Sequence, residues 1–348
     1  MKRLLILMSV IMLLALGISP AGAKKVQLLG AGATFPYPLY SKWFSVYHQK
    51  TGVKINYQAI GSGGGIRQII NRTVDFGASD APMSDQELAK APGKILHIPT
   101  ALGAVAVVFN VPGVTELKLS PEVLVDIFLG RIKKWNDPAI KALNPQAKLP
   151  KLPIMVAHRS DGSGTTYVFT DYLSKVSPEW AKRVGRGKSV NWPVGIGGKG
   201  NQGVAGIVLQ IPGTIGYVEV SYAEQSKMAV AALKNKAGNF IKPTLSAISA
   251  AAKIEIPDDT RCSLTDTEAP EGYPISAMTW LLVYQEQAYG NRSYERAKTL
   301  VDLLWWCIHE AQQYNEPLLY GRLPENVVKK AEKIIESITY KGTPILNH

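Results

Sequence analysis

Three segments of the chain share one local design, and this design restricts the possible folds more than any other feature of the sequence. In each, an apolar strand is followed by a glycine-rich turn that carries a hydroxyl group, and then by the start of a helix. The turns are GAGATFP at residues 30–36, GSGGG at 61–65 and HRSDGSGT at 158–165. Because short apolar strands alternate with helical segments from residue 26 onward, we expect an α/β fold.

The same three turns are suited to binding an anion. Helix N-termini present unpaired N–H groups and a partial positive charge, and glycines allow the backbone to approach an oxyanion closely. One such turn is usually only a capped tight turn, but the repetition, with Arg159 in the third, predicts an anion site. Arg159 can donate two hydrogen bonds to an oxyanion, and Asp161 can orient it. Asp80, after the apolar strand at 74–78, is by itself most often a capping or solvated residue.

The N-terminus has the pattern of a secretory signal peptide. Two basic residues precede an apolar run at residues 4–16, and a small-residue Ala-Gly-Ala pattern ends at residue 23. The apolar run is shorter than the roughly 20 residues needed to span a bilayer. We therefore predict cleavage after a signal peptide at residues 1–23 and a periplasmic mature protein.

Two cysteines, Cys262 and Cys307, lie far from the predicted cleavage site, so neither is placed to carry a lipid anchor. Cys262 is in a loop-like stretch and Cys307 in an apolar helical segment. In an oxidising compartment they can form one disulfide or remain two thiols, and the sequence leaves both outcomes open.

The length of the mature chain suits two domains. A long apolar run at residues 98–111 predicts a passage between two lobes, and a second passage is predicted after residues 217–220. We accordingly expect residues 24–104 to form the first part of lobe one, 105–220 lobe two, and 221–348 the return to lobe one.

The net charge of +12 attracts anions, although the lysines are scattered and the charge can serve solubility alone. Basic and aromatic residues are not interleaved on one predicted surface, so we expect no nucleic-acid partner.

Six motifs, in one order along the chain, resemble the periplasmic phosphate-binding protein of the high-affinity phosphate ABC transporter. They are residues 30–36, 60–65, 74–82, 132–135, 159–165 and 198–201. The resemblance extends to about Glu219 and fades past about Glu224. Residues 253–274, which include Cys262, do not match it, so no disulfide is implied there.

The resemblance implies a two-lobed type II periplasmic binding protein fold, with a hinge and an interlobe ligand cleft. It implies a receptor that captures inorganic phosphate and delivers it to an inner-membrane ABC permease. We expect it to be a monomer without a cofactor or metal, and not an enzyme. The phosphate-binding residues implied are Thr34, Phe35, Ser62, Asp80, Arg159, Ser163, Gly164 and Thr165, with Asp161 orienting Arg159.

The resemblance also gives Asp80 a specific role. Phosphate near neutral pH carries a proton that a buried carboxylate can accept in a hydrogen bond, whereas sulfate has none. Sites that require a particular hydrogen can reject an analogue without it by about 10⁴ to 10⁵. Asp80 is therefore predicted to exclude sulfate.

Other functions have weaker support. Ser163 is not in a Gly-x-Ser-x-Gly nucleophile motif, because Asp161 and Thr165 occupy the glycine positions. Residues 195–200 match the dinucleotide fingerprint, but Pro193 interrupts the preceding strand, and we interpret the segment as a loop near the site mouth. A receptor for arsenate, or a phosphate sensor or scavenger without a transporter, remains an open alternative.

Overall fold

The computed structural model describes residues 26–346, and these form strands and helices in alternation. The strands are β1 (Gln27–Gly32), β2 (Lys54–Ala59), β3 (Phe76–Ser79), β4 (Ile95–Asn110), β5 (Lys118–Leu119), β6 (Met155–Arg159), β7 (Ile196–Gly198), β8 (Thr214–Glu219), β9 (Ala229–Val230), β10 (Ala232–Lys234), β11 (Phe240–Ile241), β12 (Ser276–Tyr284), β13 (Thr339–Tyr340) and β14 (Thr343–Pro344). The helices are α1 (Tyr37–Thr51), α2 (Ser62–Ile70), α3 (Asp85–Leu88), α4 (Pro121–Phe128), α5 (Pro138–Leu143), α6 (Gly164–Val176), α7 (Pro178–Arg183), α8 (Gly200–Gln210), α9 (Val220–Gln225), α10 (Leu245–Ala251), α11 (Tyr294–Ile308) and α12 (Glu325–Glu336). Two short 3-10 helices, Glu310–Tyr314 and Glu316–Leu318, follow α11.

One strand, β4, belongs to both halves of the main sheet, whose order is β2-β1-β3-β12-β4-β8-β6-β7. Residues 95–104 of β4 pair antiparallel with β12, and residues 105–110 pair antiparallel with β8. The long apolar run therefore forms a single 16-residue strand that passes from one half of the sheet to the other. Since β4 is buried along almost its whole length, it forms part of the core on both sides.

The strand–turn–helix units are formed as the sequence predicts. The three turns lead from β1 to α1, from β2 to α2 and from β6 to α6. Helix α1 ends at Gly52, whose φ of 76° is in the left-handed region that favours glycine. Ser84 and Glu87 form a capping box at the start of α3. The alternation of strands and helices joined by these turns confirms the α/β fold.

The predicted signal peptide at 1–23 lies outside the described residues. Within residues 26–346, none of the helices combines the length and apolar character needed to cross a bilayer. The predicted lobe boundaries stay a prediction. After residue 220 the chain remains in contact with the 105–220 part, because β9 pairs with β4 at Val108 and Phe109 and β10 pairs with β5.

Both cysteines are free thiols in the structure. Cys307 is fully buried in α11, while Cys262 is half-buried in the loop after α10. Burial raises the pKa of the Cys262 thiol to about 11, so it has little thiolate character at neutral pH.

A buried ion-pair cluster joins α11 to the sheet. The Asp75 carboxylate, immediately before β3, accepts two hydrogen bonds from Arg296 (2.7 and 2.6 Å) and one from the Leu29 N–H (2.6 Å). Arg292 also contacts Asp75, and its side chain is 6% exposed. Burial alone would raise the pKa of Asp75, but the hydrogen bonds and charges of Arg296 and Arg292 hold it below its ordinary value. The arginines thus keep Asp75 ionised.

We predict that Asp75→Asn destabilises the protein by about 3–5 kcal/mol, because it leaves the buried Arg292 cation without its counterion. The measurement is urea unfolding followed by tryptophan fluorescence. The matched control is Asp302→Asn, which removes the ion pair with Lys298, whose side chains are 43% and 48% exposed. The control should cost less than about 1 kcal/mol. An equal loss of unfolding free energy in the two variants would contradict the proposed contribution of the buried cluster to stability.

Candidate anion-binding site

The glycine-rich turns of the two halves meet across the middle of the molecule. The Gly164 N–H at the start of α6 donates to Ser62 Oγ at the start of α2 (3.0 Å). The Gly63 N–H donates to the Gly162 carbonyl (2.9 Å). A Cβ atom at Gly164 would lie only 2.5 Å from Ser62 Oγ, so this approach requires glycine. Gly63 thus contributes its backbone to the contact between the turns.

The β1–α1 turn presents two buried backbone donors. Thr34 and Phe35 are 2% and 0% exposed. Their carbonyl groups accept hydrogen bonds from the hydroxyls of Tyr222 and Tyr320, each at 2.6 Å. Across residues 26–346, no backbone or side-chain acceptor pairs with the N–H groups of Thr34 and Phe35. Since a buried N–H without an acceptor is costly, these two donors suit an anion.

Asp80 lies opposite the α6 turn and is 2% exposed. Its Oδ1 accepts a hydrogen bond from Thr279 Oγ1 at 2.8 Å, whereas the bond from Ser62 Oγ to Oδ2 is long, at 3.4 Å. Burial raises the pKa of Asp80 to about 7, against the opposing effects of Thr279, Arg159 and Ser62. Asp80 therefore changes its protonation near neutral pH, and its Oδ2 is the less engaged oxygen.

Arg159 supplies the positive charge of the site, and its side chain is 1% exposed. Its Nε and Nη2 donate to the two carboxylate oxygens of Asp161 at 2.7 and 2.5 Å. Its Nη1 donates to Thr165 Oγ1 at 3.4 Å. Burial would raise the pKa of Asp161, but Arg159 and the Gly200 N–H (3.0 Å) hold it below its ordinary value. Asp161 thus fixes the plane of the guanidinium group.

Ser163 caps helix α6. Its Oγ accepts a hydrogen bond from the Thr166 N–H at 3.0 Å, and its own N–H donates to the Lys188 carbonyl at 2.8 Å. The Lys188 ammonium in turn pairs with Glu87 of helix α3 at 2.9 Å. The hydroxyl of Ser163 retains its hydrogen for a ligand, and its role as a phosphate donor stays a prediction.

A fourth strand–helix junction completes the site, and the sequence interpretation missed it. Residues 195–200, expected as a loop near the site mouth, instead contain β7 and the first residue of α8. Asn201 of α8 is fully buried and donates to Thr34 Oγ1 (2.8 Å) and Thr165 Oγ1 (3.1 Å). The signal was present, because residues 198–201 repeat the design of a strand, a glycine and a helix start.

Glu219, at the end of β8, lies beside this junction and is fully buried. Its Oε2 accepts hydrogen bonds from the Ser221 N–H (2.9 Å) and the Ser221 hydroxyl, and it lies 2.9 Å from the oxygen of Tyr320, whose single hydrogen is donated to the Phe35 carbonyl. Its Oε1 has no partner among the described residues. Burial raises the pKa of Glu219 to about 8, so the carboxyl group is largely protonated at neutral pH.

The arrangement is suited to a small oxyanion. The residues proposed from the sequence lie at three of these four junctions, except for Asp80, which follows β3. The junctions combine backbone N–H groups, hydroxyls and one guanidinium. No group of histidine, cysteine or acidic side chains able to hold a metal ion occurs in the part of the chain that the structure describes.

Comparison with known proteins identifies the class. Residues 19–304 match the family model described as a PBP superfamily domain. The fold is similar to that of a high affinity periplasmic phosphate-binding protein (PfluDING) bound with phosphate, with a TM-score of 0.70 and 22% identity, over 88% of this chain and 93% of that chain. The chain thus has the two-lobed fold of the periplasmic binding proteins.

Sequence relatives identify the family within this class. The phosphate-binding protein PstS of Pasteurella multocida is 48% identical over 310 residues, which cover 88% of each chain. That of Haemophilus influenzae is 45% identical over 320 residues, covering 90% of this chain and 94% of the relative. The chain belongs to the family of PstS phosphate-binding proteins, which confirms the resemblance inferred from the motifs.

We predict that Glu219 makes the stability of the protein fall as pH rises. The unfolded carboxyl group loses its proton near 4.5 and the folded one near 8, so the folded state binds the extra proton between these values. The unfolding free energy should therefore fall with pH in this window, by about 1.4 kcal/mol per unit at most. Glu219→Gln cannot ionise, so its stability relative to the parent should rise from pH 5 to 8 and then level off. Urea unfolding across this range measures the difference, and parallel profiles would contradict the prediction.

Proposed function

We propose that this protein is an extracytoplasmic receptor that captures inorganic phosphate between its lobes and delivers it to an ABC-type import permease. The observation that carries this proposal is the meeting of four helix starts around one buried arginine, with a buried carboxylate opposite. The names of its relatives, which are phosphate-binding proteins, support the same ligand.

Affinity comes from many donors acting on one anion. The proposed donors are those implied by the sequence: Thr34, Phe35, Ser62, Arg159, Ser163, Thr165 and Gly164, whose N–H also bonds Ser62 Oγ. Asp80 completes the proposed set as the acceptor. Each charge-assisted hydrogen bond contributes roughly 1.5–3 kcal/mol net. Because Asp161 already neutralises Arg159, most of the attraction comes from N–H and hydroxyl dipoles fixed in place before phosphate binds.

Specificity comes from Asp80, the acceptor in a site otherwise made of donors. A protonated phosphate oxygen can donate to Asp80 Oδ2, which has only the long contact with Ser62. A sulfate oxygen would place a lone pair against the same carboxylate. Arsenate carries a proton as phosphate does, so Asp80 does not discriminate against it.

The cellular setting belongs to the same proposal. A signal peptide at residues 1–23 would direct the receptor to the periplasm, where we expect it to act as a monomer without a nucleic-acid partner or cofactor. The inner-membrane permease is its expected partner.

The experiment that tests the proposal is calorimetric titration of the mature protein, stripped of ligand, with phosphate and then with sulfate at pH 8. We expect tight one-to-one binding of phosphate and no detectable heat with sulfate. Absence of phosphate binding would overturn the proposed function.

We predict that Asp80→Asn weakens phosphate binding by about tenfold or less but relaxes selectivity over sulfate by about a hundredfold or more, because the amide can donate to sulfate. In the parent, the pKa of about 7 means that Asp80 becomes protonated as pH falls below this value. Sulfate binding by the parent should therefore strengthen between pH 8 and 5.5, and the variant should lack this change. Titrations at both pH values provide the measurement.

The matched control for Asp80→Asn is Asp171→Asn. Asp171 is a buried residue of α6 whose carboxylate accepts hydrogen bonds from the hydroxyls of Ser263 and Thr265. It should leave the selectivity unchanged. Unaltered selectivity in Asp80→Asn would remove the proposed role of Asp80.

A further inference from the structure

Asn201 connects two threonine hydroxyls that come from different parts of the chain. Its side-chain amide donates one hydrogen bond to Thr34 Oγ1 and another to Thr165 Oγ1. Its carbonyl oxygen Oδ1 accepts the backbone N–H of Glu219 at 2.9 Å. A backbone N–H can only donate, so this contact fixes which end of the amide is oxygen and which is nitrogen. Both amide hydrogens are thus directed at threonine oxygens.

These contacts determine the direction of the Thr34 hydroxyl. A threonine hydroxyl has one hydrogen to donate and two lone pairs that accept. Thr34 Oγ1 accepts from the side-chain amide of Asn201 at 2.8 Å and from its backbone N–H at 3.2 Å. With both lone pairs occupied, the hydroxyl can interact with a further group only as a donor.

The same argument applies to Thr165. Its Oγ1 accepts from the Asn201 amide at 3.1 Å and, over a longer distance of 3.4 Å, from Arg159 Nη1. Its remaining hydrogen is likewise available for donation. The unprotonated oxygens of an oxyanion only accept hydrogen bonds, and they are matched by two hydroxyls held in this state.

The contact with Thr34 also spans the two halves of the molecule. Thr34 lies in the turn after β1, while Asn201 is in the first turn of α8, next to β7 at the opposite end of the sheet order. Separation of the halves would break both bonds between Asn201 and Thr34 and release the Thr34 hydroxyl to accept from water. The approach of the halves therefore sets the hydroxyl as a donor.

We infer that Asn201 is a positioning residue that couples closure of the two lobes to the orientation of the Thr34 and Thr165 hydroxyls as donors to the bound anion. The inference rests on the proposed function, because it takes phosphate as that anion. Asn201 acts through the threonines and adds no contact with phosphate itself.

The test is a cycle of variants titrated with phosphate in the calorimeter. Asn201→Ala should lower phosphate affinity by about tenfold, the equivalent of about one misdirected hydrogen bond. In a background of Thr34→Val and Thr165→Val, which lacks both hydroxyls, the same substitution should change affinity by less than about twofold. A merely structural role for Asn201 would give the same loss in both backgrounds and overturn the inference.

The kinetics of binding give a second readout. Since the bond to Thr34 forms only when the lobes meet, Asn201→Ala should raise the phosphate dissociation rate in stopped-flow measurements and leave the association rate nearly unchanged. A loss confined to the association rate would contradict the coupling to closure.

Two further variants keep the test decisive. If Asn201→Ala does not fold, Asn201→Leu keeps the branched shape of the side chain and removes the two amide donors without placing a charge beside the anion, and the same cycle applies to it. Asn235→Ala is the control, because Asn235 is a buried asparagine whose amide bonds carbonyls at residues 269–272, outside the site. It should reduce stability without changing phosphate affinity.

The outcomes separate the two proposals. A parent protein that does not bind phosphate overturns the proposed function and this inference together. A parent that binds phosphate, combined with equal effects of Asn201→Ala in both backgrounds, overturns the inference alone.

Discussion

The antiparallel pairing of β4 with two different strands is the interaction on which the rest of the structure depends. Residues 95–104 join β4 to β12, and residues 105–110 join it to β8. Because β4 is one unbroken strand shared by both halves, it holds the strand ends that carry the turns of one half at a fixed distance from the strand ends of the other half. Glu219 pairs with Val105 at the change of partner, so the polar cluster around Glu219 lies where the halves meet. Relative movement of the lobes has to be accommodated near this point.

Glycines make the close contact between the halves possible. A Cβ atom at Gly61 would lie 2.4 Å from Asp161 Oδ2, and one at Gly164 would lie 2.5 Å from Asp80 Oδ2. The φ of Gly61, at 85°, adds a conformational reason for glycine at that position. Local turn chemistry and contact across the cleft therefore require the same residue type. This double requirement explains why the turns are so rich in glycine.

The sequence was sufficient to predict the local units of the fold. The turns at 30–36, 61–65 and 158–165 each join a strand to a helix, since strand, glycine and cap signals lie within a few residues of one another. The partners that complete the site were not predictable in this way. Thr279 contacts Asp80 from 199 residues away, and Tyr320 contacts Phe35 from 285 residues away. Such contacts depend on strand order, and no local pattern encodes them.

Asn201 shows where sequence reasoning could have gone further. Its segment has the strand–glycine–helix pattern of the other turns. The overlapping dinucleotide fingerprint and Pro193 led instead to the prediction of a loop near the site mouth. What a hydroxyl does in a buried site depends on which of its lone pairs are already occupied, and this is visible only in three dimensions. Ser62 follows the same rule independently of Asn201, because its Oγ accepts from the N–H groups of Gly164 and Asp80. Three hydroxyls are thus directed by protein donors, two of them by one amide, so the preference for an oxyanion is built into the network that holds the lobes together.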